Sequence, residues 1–317
     1  MNTHEKKQSI GRSLVRILDS VVNFALLASL LILLLFGCYC LWDARQVSAV
    51  AMAAQYEVYK PSEESSLSFQ ELQARNHDVI GWLTIYGTGV DYPLLQGDDN
   101  WKYLNTDAEG NYSLSGAIFL DARNTPDFSD FNSIIHGHHM ADGAMFGDLE
   151  KFADAAFFTS HPYGNLFVDG RNFGVIFYAY LLADAYDALL YASPMTTQEE
   201  MDALRAYIEA LARNLRQDFP QDAEHLILLS TCSSDQTNGR SVLVGALTEA
   251  TYDDPFSAEE PRQPSVNAEA KKEPHAHLPL WVWLLLLVLL LLGGVIACRS
   301  IEKSRPDDRF FHAKKGS

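Results

Sequence analysis

Two apolar segments without a charged residue lie near the two ends of this chain, and they limit what it can fold into. They cover residues 20–42 and residues 278–298. Each is long enough to cross about 30 Å of hydrocarbon as a helix. A cleaved signal peptide is the alternative for the first segment, and a buried core helix is the alternative for the second. The length of the first segment, with Asp43 and Arg45 directly after it, favours an uncleaved anchor.

Basic residues flank both segments on the sides that face the chain ends. Four precede the first segment and six follow the second, so both termini are predicted to be cytoplasmic and the middle extracellular. Residues 43–278 hold 14 basic and 36 acidic residues, a net charge of −22. Such a surface repels nucleic acid and anionic lipid, which argues against a nucleic-acid partner and fits a solvated domain at the cell membrane.

Residues 67–250 read as a mainly β domain. Short apolar runs separated by turn signals predict seven or eight strands, of which the last two are 226–232 and 240–247. Thr197 and Glu200 form a capping box for one long helix, whose apolar residues recur at helical spacing up to Pro220. Many short strands with two or three helices are typical of a β-barrel of about 180 residues.

These features divide the chain into seven parts. Composition turns to Pro, Glu, Ala and Lys after Thr251, which indicates a linker. In order, the parts are a cytoplasmic N-terminus (1–20), a transmembrane anchor (21–42), a stalk (43–66), a folded domain (67–250), a linker (251–278), a transmembrane helix (279–298) and a cytoplasmic tail (299–317).

Cys232 is the only cysteine between the two apolar segments, and it ends the predicted strand 226–232. It has no partner for a disulfide within an exported domain, so it is either a reactive thiol or a buried, inert one. Arg240 opens the next strand, and His138 follows an earlier one. A thiol, an imidazole and a guanidinium at strand ends can serve as nucleophile, acid/base and oxyanion donor in acyl transfer. If the last two strands pair, Cys232 and Arg240 lie at one rim of the sheet.

The histidines also permit a different interpretation. His136, His138 and His139 lie close together, with Asp142 three residues further on, which suggests a metal site. Their spacing differs from the H-x-H-x-D-H pattern of metallo-hydrolases. A metal-dependent exported hydrolase therefore stays as an alternative, and a catalytically silent membrane scaffold is another.

Several segments in a fixed order resemble the class B sortases. His136-Gly-His-His-Met-Ala-Asp-Gly-Ala-Met-Phe is similar to their histidine loop, although His136 replaces a frequent Tyr. Ser230-Thr-Cys232 followed by Arg240 resembles their L-x-T-C…R signature. Residues 76–85, 91–97 and 116–124 are also similar, so the resemblance covers about residues 67–250. Asp254-Pro255-Phe256 resembles the lid motif of class C sortases but follows the predicted barrel, and we assign it to the linker.

The resemblance implies an eight-stranded sortase-type β-barrel with a few helices, here flanked by two transmembrane helices, in a Gram-positive bacterium. It also implies a transpeptidase without cofactor or metal, in which Cys232 is the nucleophile, His138 the acid/base and Arg240 the clamp for oxyanion and substrate. Its partners would be surface proteins with a C-terminal sorting signal, cleaved after Thr, and an amine acceptor. That acceptor is either a peptidoglycan precursor or a pilin lysine; a second membrane span is more usual in the pilin-polymerising class C enzymes.

Overall fold

The structure is a computed structural model that describes residues 3–62, 67–220, 222–232 and 238–257. The described residues fall into two units, residues 3–42 and residues 43–257. The predicted second transmembrane helix (279–298), the cytoplasmic tail (299–317) and the linker beyond residue 257 lie outside the described residues.

The chain begins with a long helix, α1, over Thr3–Ala51. Its part from Leu14 to Val47 is long and apolar enough to cross a membrane, and it is the one helix of that kind in the described residues. It includes the anchor predicted over residues 21–42. Length and composition alone define this assignment, and an N-terminal signal sequence meets the same criteria.

One mixed sheet dominates the second unit. In its described residues, three α-helices accompany the sheet: α2 (Leu67–Arg75), α3 (Ala155–Ser160) and α4 (Gln198–Leu211). The strands in the described residues are β1 (Val79–Ile85), β2 (Asp91–Leu95), β3 (Ile118–Leu120), β4 (Asn132–His136), β5 (Tyr163–Val168), β6 (Arg171–Asp184), β7 (Asn214–Leu215), β8 (Leu226–Cys232) and β9 (Gly239–Thr248).

Eight of the strands close into a barrel. Their order is β5-β1-β2-β3-β4-β8-β9-β6, and β6 returns to β5 through pairs such as Tyr163 with Ile176. The two-residue strand β7 joins β6 outside this ring. Neighbouring strands are antiparallel except β2–β3 and β4–β8, which are parallel. The predicted eight-stranded barrel is therefore confirmed, and its closure removes the exposed edges of an open sheet.

Neighbouring residues of β8 and β9 belong alternately to two apolar clusters. Leu229 of β8 and its partner Leu243 of β9 belong to the larger cluster. Leu228 and its partner Val244 belong to the second cluster, together with Leu204 of α4. A strand that is buried on both faces reads as a continuous apolar run, which is why β8 could be recognised in the sequence.

Helix α4 begins as predicted and ends earlier. The Thr197 hydroxyl accepts a hydrogen bond from the Glu200 backbone N–H, and the Glu200 carboxylate accepts one from the Thr197 N–H, so the capping box is present. The prediction that the helix continues toward Pro220 is wrong. The helix ends at Leu211, and Leu215 lies in β7.

The backbone after α4 forms hydrogen bonds with the sheet. Arg213 donates its backbone N–H to the Tyr180 carbonyl of β6, and Arg216 donates to Tyr178. The Asn214 side chain also donates to the Phe152 carbonyl at 2.7 Å. These partners are distant in sequence, so helical spacing alone could not reveal that the chain changes to a strand here.

The middle of the predicted stalk, residues 51–59, packs on the barrel. Ala51, Tyr56 and Tyr59 are buried, and the Tyr92 hydroxyl of β2 donates a 2.8 Å hydrogen bond to the Ala51 carbonyl. Residues 51–59 thus belong structurally to the folded domain, because their aromatic side chains complete its core.

The start of the predicted linker also packs on the barrel. Tyr252 stacks on Tyr163 with ring centroids 4.3 Å apart, and Phe256 stacks on His161 at 4.5 Å. The Tyr86 hydroxyl donates to the Tyr252 carbonyl. Phe256, which the sequence assigned to a linker, is therefore held against the domain by ring stacking.

Candidate active site

Strands β8 and β9 bring Cys232 and Arg240 together. The two strands are antiparallel neighbours, and Cys232 is the Cα partner of Arg240. Directly opposed residues of an antiparallel pair belong to the same face of the sheet. Positions 232 and 240 therefore share one face at one rim of the barrel, as the sequence predicted for neighbouring strands.

Strand β4 brings the histidine segment to the same rim. It runs parallel to β8, and His136 at its end is the Cα partner of Ser230. The Gly137 backbone N–H donates to the Ser230 carbonyl at 3.2 Å. His138 follows directly. The three predicted site residues thus lie at, or within two residues of, the ends of three consecutive strands of the ring, in the order β4-β8-β9.

A backbone carbonyl orients the His138 ring. Nε2 lies 2.8 Å from the Leu104 carbonyl oxygen, in the segment between β2 and β3. A carbonyl can only accept, so Nε2 carries the hydrogen in this contact. This tautomer leaves Nδ1 as the nitrogen that can take up or release a proton. His138 is half-buried, so the imidazole is both held and accessible.

The loop after His138 is closed by its own contacts. The Phe146 backbone N–H donates to the His138 carbonyl at 3.0 Å. Phe146 also packs so closely on Gly137 that a Cβ there would lie 2.7 Å from its ring. A side chain at position 137 would displace Phe146, so glycine is needed where the loop leaves β4.

A buried tyrosine anchors this loop to the rest of the domain. The Tyr92 hydroxyl accepts a 3.0 Å hydrogen bond from the Met145 backbone N–H and donates to the Ala51 carbonyl. Burial raises the pKa of Tyr92 to about 12, so the hydroxyl stays protonated and makes both contacts. The histidine loop is thereby linked to the residue that ends α1.

The other two histidines have separate acidic partners. His136 Nε2 lies 3.1 Å from Asp121 Oδ2, and His139 Nε2 lies 3.2 Å from Glu150 Oε2. Because His138 contacts the Leu104 carbonyl, the three imidazole rings have three different hydrogen-bond partners. In the part of the chain that the structure describes, no three His, Cys, Asp or Glu side chains form a group suited to a metal ion.

Asp121, which the sequence did not single out, is a buried charge beside this rim. Its side chain is 3% exposed and accepts hydrogen bonds from Arg123 Nε at 2.8 Å and from Asn100 Nδ2 at 2.9 Å. Burial opposes ionisation, but the hydrogen bonds from Arg123 and His136 outweigh it and hold the pKa of Asp121 well below its usual range. Asp121 is thus a carboxylate at neutral pH.

Tyr191 and Ser230 form a second polar contact that the sequence missed. Their side-chain oxygens are 2.8 Å apart. Burial raises the pKa of Tyr191, and the hydrogen bond from Ser230 and the positive charge of Arg240 oppose this rise. Side chains alternate along a strand, so the sequence could have indicated that Ser230 shares a face with position 232. Tyr191 lies in a segment with no helical or strand periodicity, so the sequence could not have indicated its role.

No protein-family model matches the chain. A 67-residue stretch, 21% of the chain, is 46% identical to sortase B of Listeria monocytogenes and covers 27% of that protein. The structure of sortase B from the type II pilus of Streptococcus pneumoniae is 41% identical, with a TM-score of 0.51; the match covers 57% of this chain and 99% of that one. A class B sortase of Streptococcus pyogenes involved in pilus biogenesis is 35% identical, with a TM-score of 0.51, over 56% of this chain and 97% of that one.

The closed barrel, with a cysteine and an arginine opposed at its rim, and these similarities together define a sortase. The chain belongs to the class B sortase family. In sequence it spans about a quarter of the length of its Listeria relative.

Proposed function

We propose that this protein is a membrane-anchored cysteine transpeptidase. It cleaves a C-terminal sorting signal after Thr and joins the new acyl end to an amine acceptor. The observation that carries the proposal is the opposition of Cys232 and Arg240 at the rim that His138 also reaches, in a barrel of the class B sortase family. The nucleophile, the acid/base and the oxyanion donor come from three neighbouring strands.

In the first half of the reaction, the Cys232 thiolate attacks the carbonyl carbon of the Thr in the sorting signal. The guanidinium of Arg240 donates hydrogen bonds to the oxyanion of the tetrahedral intermediate. The C–N bond then breaks, and His138 gives its proton to the leaving amine. The product is a thioester between the Thr carbonyl and Cys232.

In the second half, an acceptor amine attacks the thioester carbon. The C–N bond forms, the C–S bond breaks, and its electrons return to the sulfur of Cys232. His138 takes a proton from the attacking nitrogen and is again an imidazolium. Leu104 supports both halves, because its carbonyl fixes the His138 ring in one orientation.

The location follows from the helix and the charges. α1 and the second apolar segment, residues 278–298, each cross the membrane, so that the acidic barrel lies outside the cell and both termini lie in the cytoplasm. The partners are surface proteins with sorting signals. The acceptor is a peptidoglycan precursor or a pilin lysine, and the two streptococcal relatives, whose names refer to pili, support the second.

A cleavage assay on the full-length protein in detergent tests this function. The substrates are fluorogenic sorting peptides with Thr before the scissile bond, and each reaction is repeated with a thiol-alkylating reagent and with a metal chelator. We expect cleavage that the alkylating reagent abolishes and the chelator leaves intact. Cleavage with the reverse sensitivities would favour the metal-dependent hydrolase, and no cleavage of any peptide would favour the silent scaffold.

A further inference from the structure

Transfer to an amine releases more protons than the three-residue site can absorb. A lysine-type acceptor is an ammonium ion near neutral pH. It must lose two protons to become the nitrogen of a secondary amide. His138 gives up one proton in the first half of the reaction, so it can take back one in the second half. The other proton must leave before the nitrogen can attack, so it needs a second acceptor, whereas a water molecule already has a free lone pair and loses only one proton in the attack step.

His136 has the features of a base that is held in place. Its Nε2 donates to Asp121 Oδ2 at 3.1 Å, and this carboxylate is buried and further fixed by Arg123 and Asn100. An imidazole oriented by a carboxylate is a recurring arrangement of catalytic bases. With Nε2 as the donor, Nδ1 carries the lone pair, and it has no hydrogen-bond partner among the described residues. The side chain is 26% exposed, so a solute can reach it.

The fold puts this imidazole beside the nucleophile strand. His136 is the Cα partner of Ser230, which lies two residues before Cys232 on the same strand. A strand spacing of about 4.8 Å and a rise of about 3.3 Å per residue place the Cα atoms of residues 136 and 232 about 8 Å apart. Residue partners in a sheet share a face, so positions 136, 230 and 232 lie on the same side. His136 and Arg240 therefore flank β8 from opposite sides.

We propose that His136, oriented by Asp121, is the proton acceptor for the incoming ammonium group. This proposal rests on the transpeptidase function proposed above. Nδ1 takes one proton from the ammonium, which frees the lone pair that forms the C–N bond. The C–S bond breaks with its electrons going to the Cys232 sulfur, and the second N–H proton passes to His138. Asp121 stabilises the imidazolium at position 136, which later releases its proton to water.

The partition of the thioester between an amine and water tests this role. The full-length protein and its His136→Gln variant are incubated with a sorting peptide and either a lysine side-chain amine or hydroxylamine, which is uncharged near neutral pH. The ratio of transfer product to hydrolysis product is measured. The ratio depends only on steps after the thioester has formed, so slower acylation or partial unfolding cancels. Glutamine keeps a hydrogen-bond donor for Asp121 but has no basic nitrogen.

We expect His136→Gln to lower the ratio for the lysine amine by a factor on the order of 10², the scale of general-base catalysis, and to leave the ratio for hydroxylamine as in the wild type. His139→Gln, which changes the neighbouring histidine on Glu150, is the matched control and should keep both ratios. An unchanged ratio for the lysine amine in His136→Gln would overturn the proposal, and so would an equal loss for both nucleophiles. If the wild type forms no thioester at all, the proposed function itself is overturned together with this one.

Discussion

Cys232 ends strand β8 directly opposite Arg240, the second residue of strand β9. This register is set by the pairing of two long strands through their buried residues, since a shift by one residue would exchange the two faces of β9. The nucleophile and the oxyanion donor that we propose are thus fixed relative to each other by the barrel. Changes to either residue should affect the chemistry more than the fold.

Replacing Cys232 with alanine should abolish acyl transfer and leave the barrel folded. The change is small and lies at a strand end, and residues 43–277 of the sequence contain no other cysteine that could replace the thiol. Peptide cleavage and thermal unfolding are measured on the same preparations of wild type and Cys232→Ala. Cleavage by the variant above the level of buffer alone would exclude Cys232 as the nucleophile.

Arg240→Lys should lower kcat strongly although it keeps the charge. A planar guanidinium offers two donors in a fixed geometry that an ammonium cannot reproduce, and loss of one oxyanion donor typically lowers kcat by about 10²–10³. Steady-state kinetics check this. Reaction of the thiol with a small alkylating reagent is the control, and it should continue. Near-normal turnover of Arg240→Lys would show that the residue only balances the acidic surface.

The histidines should differ in the acylation step. His138→Ala should slow thioester formation by about 10²–10⁴, the range for loss of an acid/base group. His139→Ala is the comparison, because that ring contacts Glu150 and belongs to the same loop. Rapid-quench measurement of the first cleavage product gives both rates. If His139→Ala is the more damaging change, the assignment of the acid/base within the loop is wrong.

Asp121 should contribute stability that depends on pH. Its pKa is lower in the folded protein than the ordinary value of about 3.9, so the contribution is complete above that pH and is lost as the pH falls below it. Asp121→Asn should therefore be less stable than wild type near neutral pH, by about 1–3 kcal/mol for a buried group that loses charged hydrogen bonds. The difference in unfolding free energy should shrink below about pH 4. Denaturant unfolding at several pH values measures it, and a constant difference would contradict the assignment.

The eight strands of the barrel were predictable because each contains an apolar run bounded by turn residues. The opposition of Cys232 and Arg240 was predictable for the same reason, since only a short connection separates β8 from β9. The contacts of His136 with Asp121 and of Tyr191 with Ser230 join residues 15 and 39 positions apart. No local sequence pattern predicts such pairs, and the same holds for β7, which pairs with β6, and for Phe256, which stacks on His161.

The most direct test of the account is the mass of the acylated protein. The full-length wild type is mixed with a sorting peptide in the absence of an amine, quenched in acid, digested and examined by mass spectrometry. We predict that the fragment containing Cys232 gains the mass of the peptide up to its Thr, that hydroxylamine removes this adduct, and that Cys232→Ala never carries it. Cleavage of the peptide without an adduct on Cys232, or with the adduct on another residue, would contradict the account.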